Sequence, residues 1–361
     1  MKNTTTKHSI TNTPQPKKII FCGDLHGSRL FKPFVEAFSN DTHNDTYDSD
    51  THFVLTGDLF DRGAYSDEVF EVVRKLHEEK RLTLAIGNHD CFFLFSQGFR
   101  PGAQSDFAKR SEKIIPEIDR NALYQIYKEQ FEINQGGATI FAFAQAYGVH
   151  MADAIDDIVD FLAEFGLYAV DPVGNLITHG GLATLITGEL VGEEIDGKYV
   201  SGMEYLKALD EGFRNMDVET LYKLTARDKS CGPKLFADME RNGAIRNKKA
   251  LENNFNYVTD ALPTWFANSV YTNEKYPETI KTLRAELDRN NFGRLICGHW
   301  MNGNPAFGTK DDQELVEFGD TVLRLDRSYI GLDNFGFAVI SAVTNEILEV
   351  GDSYHFLNSK R

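Results

Sequence analysis

The sequence predicts an α/β fold in which helices cover a partly parallel sheet. Two observations carry this prediction: apolar runs of strand length recur along the chain, and segments with apolar residues at helical spacing separate them. Such alternation is typical of layered α/β folds. With 361 residues, of which 42% are hydrophobic, the chain is long enough to bury the core that this fold needs.

Apolar runs that end beside metal-competent side chains are the main functional signal. In chain order they are KIIFCGDLHG (18–27), VLTGDLFDRG (54–63), LTLAIGNHD (82–90), GNLITHGG (174–181) and GRLICGHW (293–300). Asp and Gly are ordinary turn formers, so one such ending predicts only a tight turn. Five endings indicate a shared site, because ligands of open α/β sheets bind at the carboxyl ends of the strands.

Helical spacing is clearest in three segments. SDEVFEVVRKLHEEK follows the second run, with Ser66 placed to cap it. RNALYQIYKEQF and MADAIDDIVDFLAEF belong to a long, mostly helical stretch, and the latter places Ile155, Ile158, Val159 and Leu162 on one face. This pattern favours helices packed as a cap on the core over a cofactor site.

The predicted domain organisation is a polar, disordered lead-in over residues 1–17 followed by one domain over 18–361. We expect insertions into this domain over about 91–170 and about 190–262. The second insertion contains the basic segment ERNGAIRNKKALENN, which is either a solvated helix face or a rim that faces an anionic substrate. The loop SNDTHNDTYDSDTH (39–52) could bind a cation, but such loops are more often solvated.

Composition excludes several classes of protein. A net charge of −16 works against nucleic acid as a partner, because phosphate backbones are bound by clustered Lys and Arg. No apolar run is long enough for a membrane span, and the amino-terminal segment lacks the apolar centre of a secretory signal. Cys22, Cys91, Cys231 and Cys297 form no C-x-x-C pair, which favours a reducing, cytoplasmic compartment. Cys22 and Cys297 lie at the ends of apolar runs and are expected to be buried thiols.

The side chains at the strand ends form a candidate metal site. They are Asp24, His26, Asp58, Asp61, Arg62, Asn88, His89, His179 and His299. Carboxylate, imidazole and amide groups together suit borderline divalent ions such as Mn, Fe or Zn. A central carboxylate can bridge two ions about 3.5 to 4 Å apart, an arrangement that supports in-line phosphoryl displacement, and Asp58 is placed to be that bridge.

GDLHG, GDLFDRG, GNHD, HGG and GH occur in the order and with the residue identities of the calcineurin-like metallophosphoesterases. With its arginine, the GDLFDRG motif resembles that of the phosphoprotein phosphatase branch of this family. The chain is similar to the bacterial members of that branch. The resemblance implies a central mixed β-sandwich flanked by helices, with helical cap insertions on a catalytic domain. It also implies two divalent metal ions, for which we expect Mn, with Fe or Zn possible.

The resemblance also implies a role for each residue. Asp24, His26 and Asp58 would hold one metal, and Asp58, Asn88, His179 and His299 the other. His89 would protonate the leaving group, with Asp61 orienting its imidazole. Arg62 would grip two phosphoryl oxygens, the alternative being a surface salt bridge, and Asn88 would also contact substrate.

Some positions depart from the family pattern. The eukaryotic Ser/Thr-specific enzymes carry Glu after the third motif's His, whereas this chain has Asp90, and LLWSDP-like and SAPNYC-like segments are absent. PTWFAN has Trp265 but Ala267 where bacterial relatives often place Arg. A second phosphate-binding arginine is therefore unassigned; the candidates are Arg227, Arg241, Arg246 and Arg294.

The function predicted from this resemblance is a dinuclear phosphomonoesterase in which a metal-bridging hydroxide attacks phosphorus in line. We expect a protein phosphatase specific for Ser/Thr, Tyr or both, of bacterial origin, acting in the cytoplasm or delivered to a host cell as an effector. The alternatives are hydrolysis of nucleotides or dinucleoside polyphosphates, hydrolysis of phosphodiesters, and a catalytically inactive scaffold that binds phosphoproteins. The alternatives differ in substrate, so activity assays discriminate them.

Overall fold

The computed structural model describes residues 16–38, 50–182, 190–195, 198–225, 277–299, 316–318, 321–325 and 334–360. Within these ranges the strands are β1 (Lys18–Cys22), β2 (Thr51–Leu55), β3 (Leu82–Leu84), β4 (Tyr168–Val170), β5 (Leu176–Thr178), β6 (Gly192–Ile195), β7 (Lys198–Ser201), β8 (Leu295–Cys297), β9 (Val316–Phe318), β10 (Val322–Arg324), β11 (Gly336–Ser341) and β12 (Ile347–Asp352). The α-helices are α1 (Phe31–Ala37), α2 (Ser66–Glu78), α3 (Asn88–Gly98), α4 (Asp106–Ile114), α5 (Glu117–Ile133), α6 (Gly136–Tyr147), α7 (Met151–Leu162), α8 (Gly202–Arg214), α9 (Val218–Thr225), α10 (Pro277–Arg289) and α11 (Ser353–Ser359).

Two five-stranded mixed sheets carry the fold. The first has the order β12-β11-β1-β2-β3, with β1, β2 and β3 parallel and β11 antiparallel to β1. The second has the order β4-β5-β8-β10-β9, with β5, β8 and β10 parallel. The carboxyl ends of β1, β2 and β3 thus lie at one edge of the first sheet, and those of β5 and β8 at one edge of the second.

The sheets pack face to face, because alternate residues of each strand are apolar on the inner side. Ile19 and Phe21 of β1 pack in one cluster with Ile177 of β5 and Ile296 of β8. The intervening residues Ile20 and Cys22 face the helices. Both faces of the first sheet are therefore buried, which explains why β1 and β2 read as continuous apolar runs.

The helices over 88–162 form a layer on the first sheet. Every residue from Asn88 to Ser96 is buried, so α3 lies in the interior of this layer. The predicted apolar face of α7 is confirmed, because Ile155, Ile158, Val159 and Leu162 are all buried. The predicted division into one domain with two insertions stays a prediction, and most of the second insertion lies outside the described ranges.

The antiparallel strands β11 and β12 extend the first sheet beside β1. The prediction that Ser66 caps α2 is wrong: Ser66 is the first helical residue, and its hydroxyl is buried 3.0 Å from Thr139 Oγ1. Burial of that hydroxyl in a side-chain hydrogen bond outweighs the usual preference for serine as a cap.

Candidate metal centre

The candidate site residues gather where the strand ends of the two sheets meet. Asp24 follows β1, Asp58 follows β2, and Asn88 begins the helix that follows β3. His179 follows β5 and His299 follows β8, on the second sheet. Direct contacts cross between the sheets, since His299 N lies 3.1 Å from both carboxylate oxygens of Asp24.

The turns that carry the site adopt backbone conformations that side chains rarely take. Positive φ angles occur at His26 (44°), Asp58 (53°), Asp61 (74°), Arg62 (60°) and His299 (71°). Each such residue costs about 1–3 kcal/mol and persists only where surrounding contacts enforce it. Strain clustered in this way is typical of functional sites.

Glycines allow these turns to approach each other. Gly57 has a φ of +101°, and a methyl group there would overlap the backbone nitrogen of Gly87. A methyl group at Gly63 would overlap the carbonyl oxygen of His26. The glycines of the first three motifs are therefore required for close backbone contact, and not only for turning the chain.

Asp90 organises the turn after β2. Its carboxylate accepts hydrogen bonds from the backbone N–H groups of Asp58 (2.8 Å), Leu59 (2.8 Å) and Gly87 (3.0 Å). Burial and the neighbouring Asp58 carboxylate raise the pKa of Asp90 to about 7. The sequence marks Asp90 only as a departure from a motif, whereas the structure shows an anchor between two turns.

Four potential ligand atoms converge on one point beside Asp58. His179 Nδ1 lies 2.8 Å from the carbonyl oxygen of Thr56, which can only accept, so Nδ1 carries a proton. His179 Nε2 then faces Asn88 Oδ1 at 3.0 Å, His299 Nδ1 at 2.9 Å and Asp58 Oδ2 at 3.4 Å. Nitrogen and oxygen atoms aimed at one point in this way fit a cation, either a proton on Nε2 or a metal ion in its place.

Electrostatics at this point also favour positive charge. Burial alone would lower the pKa of His179, but the carboxylates of Asp58 and Asp24 outweigh it and raise that pKa to about 10. Burial likewise opposes ionisation of Asp58, yet the imidazoles of His179, His89 and His26 hold its pKa well below the usual range. The buried carboxylates thus stabilise a cation placed among them.

A second group of ligand atoms shares Asp58. His26 Nδ1 donates to the carbonyl oxygen of Phe60 at 3.2 Å, which leaves Nε2 as a lone pair 3.7 Å from Asp58 Oδ2. Burial lowers the pKa of His26 to about 4, so its imidazole is neutral, as a metal ligand must be. His89 Nε2 lies 3.8 Å from the same Asp58 oxygen.

Two three-residue groups among the described residues could hold ions: His26, Asp58 and His89 form one, and Asp58, His179 and His299 form the other. Asp58 is common to both, at the position expected of a bridge. Asp24 contacts the second group, with Oδ1 3.8 Å from His179 Nδ1. Its expected assignment to the first metal stays a prediction.

His89 also lies in a chain of polar contacts with Asp61 and Arg62. His89 Nδ1 lies 3.0 Å from Asp61 Oδ2, and its Nε2 lies 3.2 Å from Arg62 Nη2. Because arginine only donates, Nε2 accepts here and Nδ1 donates to Asp61. Burial and the nearby Asp58 and Asp90 raise the pKa of Asp61, whereas a hydrogen bond from Thr139 lowers it.

Thr139 is a site neighbour that the sequence did not reveal. It lies on α6, 78 residues from Asp61, and its hydroxyl contacts both the backbone nitrogen and the carboxylate of that residue. The Thr56 carbonyl that orients His179 was also missed. No sequence pattern indicates these roles, because Thr56 acts through its main-chain carbonyl and Thr139 reaches Asp61 only through tertiary packing.

Arg294 lies away from the candidate metal centre and is therefore excluded as the second phosphate-binding arginine. Arg294 lies at the amino end of β8, opposite the end that carries His299, and its Nη1 donates to the carbonyl oxygen of Asn345. Arg227, Arg241, Arg246 and Trp265 lie outside the described residues, as does most of the loop over 39–52.

The cysteines in the described ranges are buried, and the helices there are not of the membrane-spanning kind. Cys22 and Cys297 are buried thiols, as predicted, and Cys91 is buried as well; burial raises the pKa of Cys22 and Cys91. Cys231 lies outside the described residues. None of the helices in the described ranges has the length and apolar character needed to cross a bilayer.

The fold and the site together define the class of protein. Residues 17–303 match the family described as calcineurin-like phosphoesterase, and this match spans most of the chain. The chain therefore belongs to that family, and the predicted family and layered α/β fold are confirmed. Membership in a phosphoesterase family indicates hydrolase activity, and the His/Asp cluster indicates divalent metal binding.

Several phosphatases are similar to this chain. Serine/threonine-protein phosphatase SIT4 of Candida albicans is 35% identical over 79 residues, which is 21% of this chain and 24% of that protein, so the match spans about a quarter of its length. The cold-active protein-tyrosine phosphatase of a psychrophilic Shewanella species is 19% identical, with a TM-score of 0.47 over 92% of this chain and 77% of that chain. A protein serine/threonine phosphatase from Saccharomyces cerevisiae, with similarity to human phosphatase PP5, is 14% identical, with a TM-score of 0.38 over 91% of this chain and 74% of that chain.

Proposed function

We propose that this protein is a phosphomonoesterase that uses two divalent metal ions, with Mn as activator, to dephosphorylate phosphoproteins. The observation that carries the proposal is that His89, which contacts both Asp61 and Arg62, lies 3.8 Å from Asp58 Oδ2, the oxygen that also lies near His26 and His179. The partial match to a serine/threonine-protein phosphatase supports a phosphoprotein substrate. Bacterial origin and delivery to a host cell stay predictions from the sequence.

The residues present fit the proposed metal ions. One would be held by His26 and Asp58 with Asp24, and the other by Asp58, Asn88, His179 and His299. When bound, the two ions would supply an activated water and neutralise charge on the phosphoryl group. The neutral imidazole of His26, the His179 ring whose Nε2 is directed into the site, and the ionised Asp58 are the features of this chain that prepare it for them.

Substrate binding falls to Arg62. Its planar guanidinium can donate to two phosphoryl oxygens at once and so hold the group in line for displacement. Without substrate, Arg62 Nη2 donates to His89 Nε2. When Arg62 donates to phosphoryl oxygens instead, His89 Nε2 no longer accepts from it and can carry a proton.

Protonation of the leaving group falls to His89. Asp61 accepts from His89 Nδ1, which keeps Nε2 directed into the site as the atom that delivers the proton to the departing oxygen. His89 is only 1% exposed, so its orientation is set by these contacts and not by solvent. The proton moves from Nε2 to the serine, threonine or tyrosine oxygen as the P–O bond breaks.

The test compares initial rates after removal of metal with chelator and restoration of Mn²⁺. The substrates are phosphoserine, phosphothreonine and phosphotyrosine peptides, diadenosine tetraphosphate and a bis-aryl phosphodiester. His89→Ala is the catalytic variant, and His150→Ala, which removes an exposed imidazole, is its matched control. We expect Mn-dependent release of phosphate from peptides that His89→Ala abolishes and His150→Ala leaves unchanged. Faster cleavage of the dinucleotide or the diester, or no turnover of any substrate, would refute the proposal.

A further inference from the structure

Helix α6 supplies a hydroxyl to the acid that orients His89. Thr139 Oγ1 lies 2.8 Å from the backbone nitrogen of Asp61 and 3.2 Å from its Oδ1. Ser66 Oγ lies 3.0 Å from the same hydroxyl. Thr139 and Ser66 are both fully buried, so water does not compete for these contacts.

The available protons fix the donor and the acceptor of each of these hydrogen bonds. A carboxylate oxygen and a hydroxyl can accept, but the Asp61 backbone N–H can only donate, so Thr139 accepts from it. The one hydroxyl proton of Thr139 then goes to Asp61 Oδ1, and Ser66 donates to Thr139. Asp61 Oδ2 remains for His89 Nδ1, at 3.0 Å. Both carboxylate oxygens are thus held, which fixes the plane of the group.

The same helix face braces the strained turn itself. Asp61 has a φ of 74°, a conformation that needs external support in a non-glycine residue. Phe143, one turn after Thr139 on α6, packs against the ring of Phe60 at 5.7 Å between ring centroids. Adjacent residues of the turn, Phe60 and Asp61, therefore both contact α6, one by packing and one by hydrogen bonds.

We propose that Thr139 is a positioning residue, whose hydroxyl holds Asp61 in the geometry that orients His89 for protonation of the leaving group. This inference rests on the proposed function, because it assigns Thr139 to the acid step of that reaction. It also gives the helical segment over 136–147 a part in the site, although that segment contributes no side chain to the candidate metal ligands.

The test uses the dependence of rate on the leaving group. Thr139→Val removes the hydroxyl at nearly constant shape, and Thr139→Ser retains it. Thr220→Val is the matched control, since Thr220 is also buried and its hydroxyl bonds Asp217, in the α9 region away from the site. Rates are measured with Mn²⁺ on phenyl phosphate, whose leaving group needs protonation, and on 2,4-dinitrophenyl phosphate, whose leaving group does not.

We expect Thr139→Val to lower kcat on phenyl phosphate by at least about tenfold more than on 2,4-dinitrophenyl phosphate, because only the first reaction depends on the acid. Thr139→Ser should restore the wild-type ratio, and Thr220→Val should keep it. Equal losses on both esters would mean a merely structural role, and no loss on either would mean no role; both results overturn the inference.

A second readout does not depend on turnover. In ¹⁵N-labelled protein, the His89 Nδ1 proton bonded to Asp61 should give a downfield resonance, identified by its loss in His89→Ala. We expect that resonance to shift or broaden in Thr139→Val and to persist in Thr139→Ser and Thr220→Val. An unchanged resonance in folded Thr139→Val contradicts the inference. If wild-type protein turns over neither ester, the proposed function fails, and the resonance alone then decides whether Thr139 positions Asp61.

Discussion

The carboxylate of Asp90 accepts a hydrogen bond from the backbone N–H of Asp58 at 2.8 Å, and so an acid in the first turn of α3 holds the turn that presents the shared candidate ligand. Two further backbone groups, those of Leu59 and Gly87, donate to the same carboxylate. Asp90, which stands where the eukaryotic Ser/Thr-specific enzymes carry Glu, therefore helps to hold the site in place.

Replacement of Asp90 should weaken both stability and metal binding. Asp90→Asn places an amide among three backbone donors, and we expect a loss of about 2–3 kcal/mol in the free energy of unfolding, because buried N–H groups lose their acceptor. Urea unfolding in chelator measures this loss. Asp106→Asn, at an exposed carboxylate, is the control and should change stability little. Equal midpoints for Asp90→Asn and wild type would contradict the role of Asp90.

Metal stoichiometry should separate the two ligand groups. Asp58→Asn should abolish tight binding of both Mn²⁺ ions, because Asp58 belongs to both groups. His299→Ala should leave one tight site, since its imidazole lies in one group only. Calorimetric titration of chelator-treated protein measures the number of sites. Loss of a single ion in Asp58→Asn would show that Asp58 does not bridge.

Substitution of Arg62 tests the grip on the phosphoryl group. Lysine keeps the charge but loses the two parallel donors, so we expect Arg62→Lys to lower kcat/KM by about 100-fold, a typical effect of removing a transition-state donor. Arg74→Lys, on the half-exposed face of α2, is the matched control. Unchanged turnover in Arg62→Lys would favour the alternative of a salt bridge without a part in the reaction.

We expect the buried His52, which lies away from the metal centre, to make the folded protein less stable in acid. Burial, and to a lesser degree Arg81, lower its pKa from 6.5 to about 4 in the folded protein. Below pH 6.5 the unfolded chain binds a proton that the folded chain does not, so the stability contribution is lost as pH falls from 6.5 towards 4. At pH 5 the difference amounts to about 2 kcal/mol.

His52→Gln should reduce this loss, because glutamine can still bond Thr83 Oγ1, which lies 2.9 Å from His52 Nε2, and does not titrate. Urea unfolding of wild type and His52→Gln at pH 7 and pH 5, with chelator throughout, measures the change. His150→Gln serves as the exposed control. The same decrease in stability in wild type and His52→Gln would rule out His52 as its source.

Local patterns predicted the strands β1, β2, β3, β5 and β8, the apolar faces of α2 and α7, and the gathering of Asp24, Asp58, Asn88, His179 and His299. These predictions succeed because apolar alternation identifies strands, and the residues that follow parallel strands meet at one sheet edge. The cap at Ser66 failed, because residue preference at a helix start does not register that the hydroxyl is buried against another helix.

The sequence by itself determined the family, the five strands that carry the motifs and the set of residues at their ends, since each depends on motifs and spacing within short segments. Only the tertiary structure decided that Asp90 anchors the Asp58 turn, that Arg294 lies away from the site, and that Thr139 reaches Asp61 across 78 residues. The physical reason is that a hydrogen bond between distant segments requires the packing of whole helices and sheets to place two atoms within about 3 Å, and no local pattern encodes that distance.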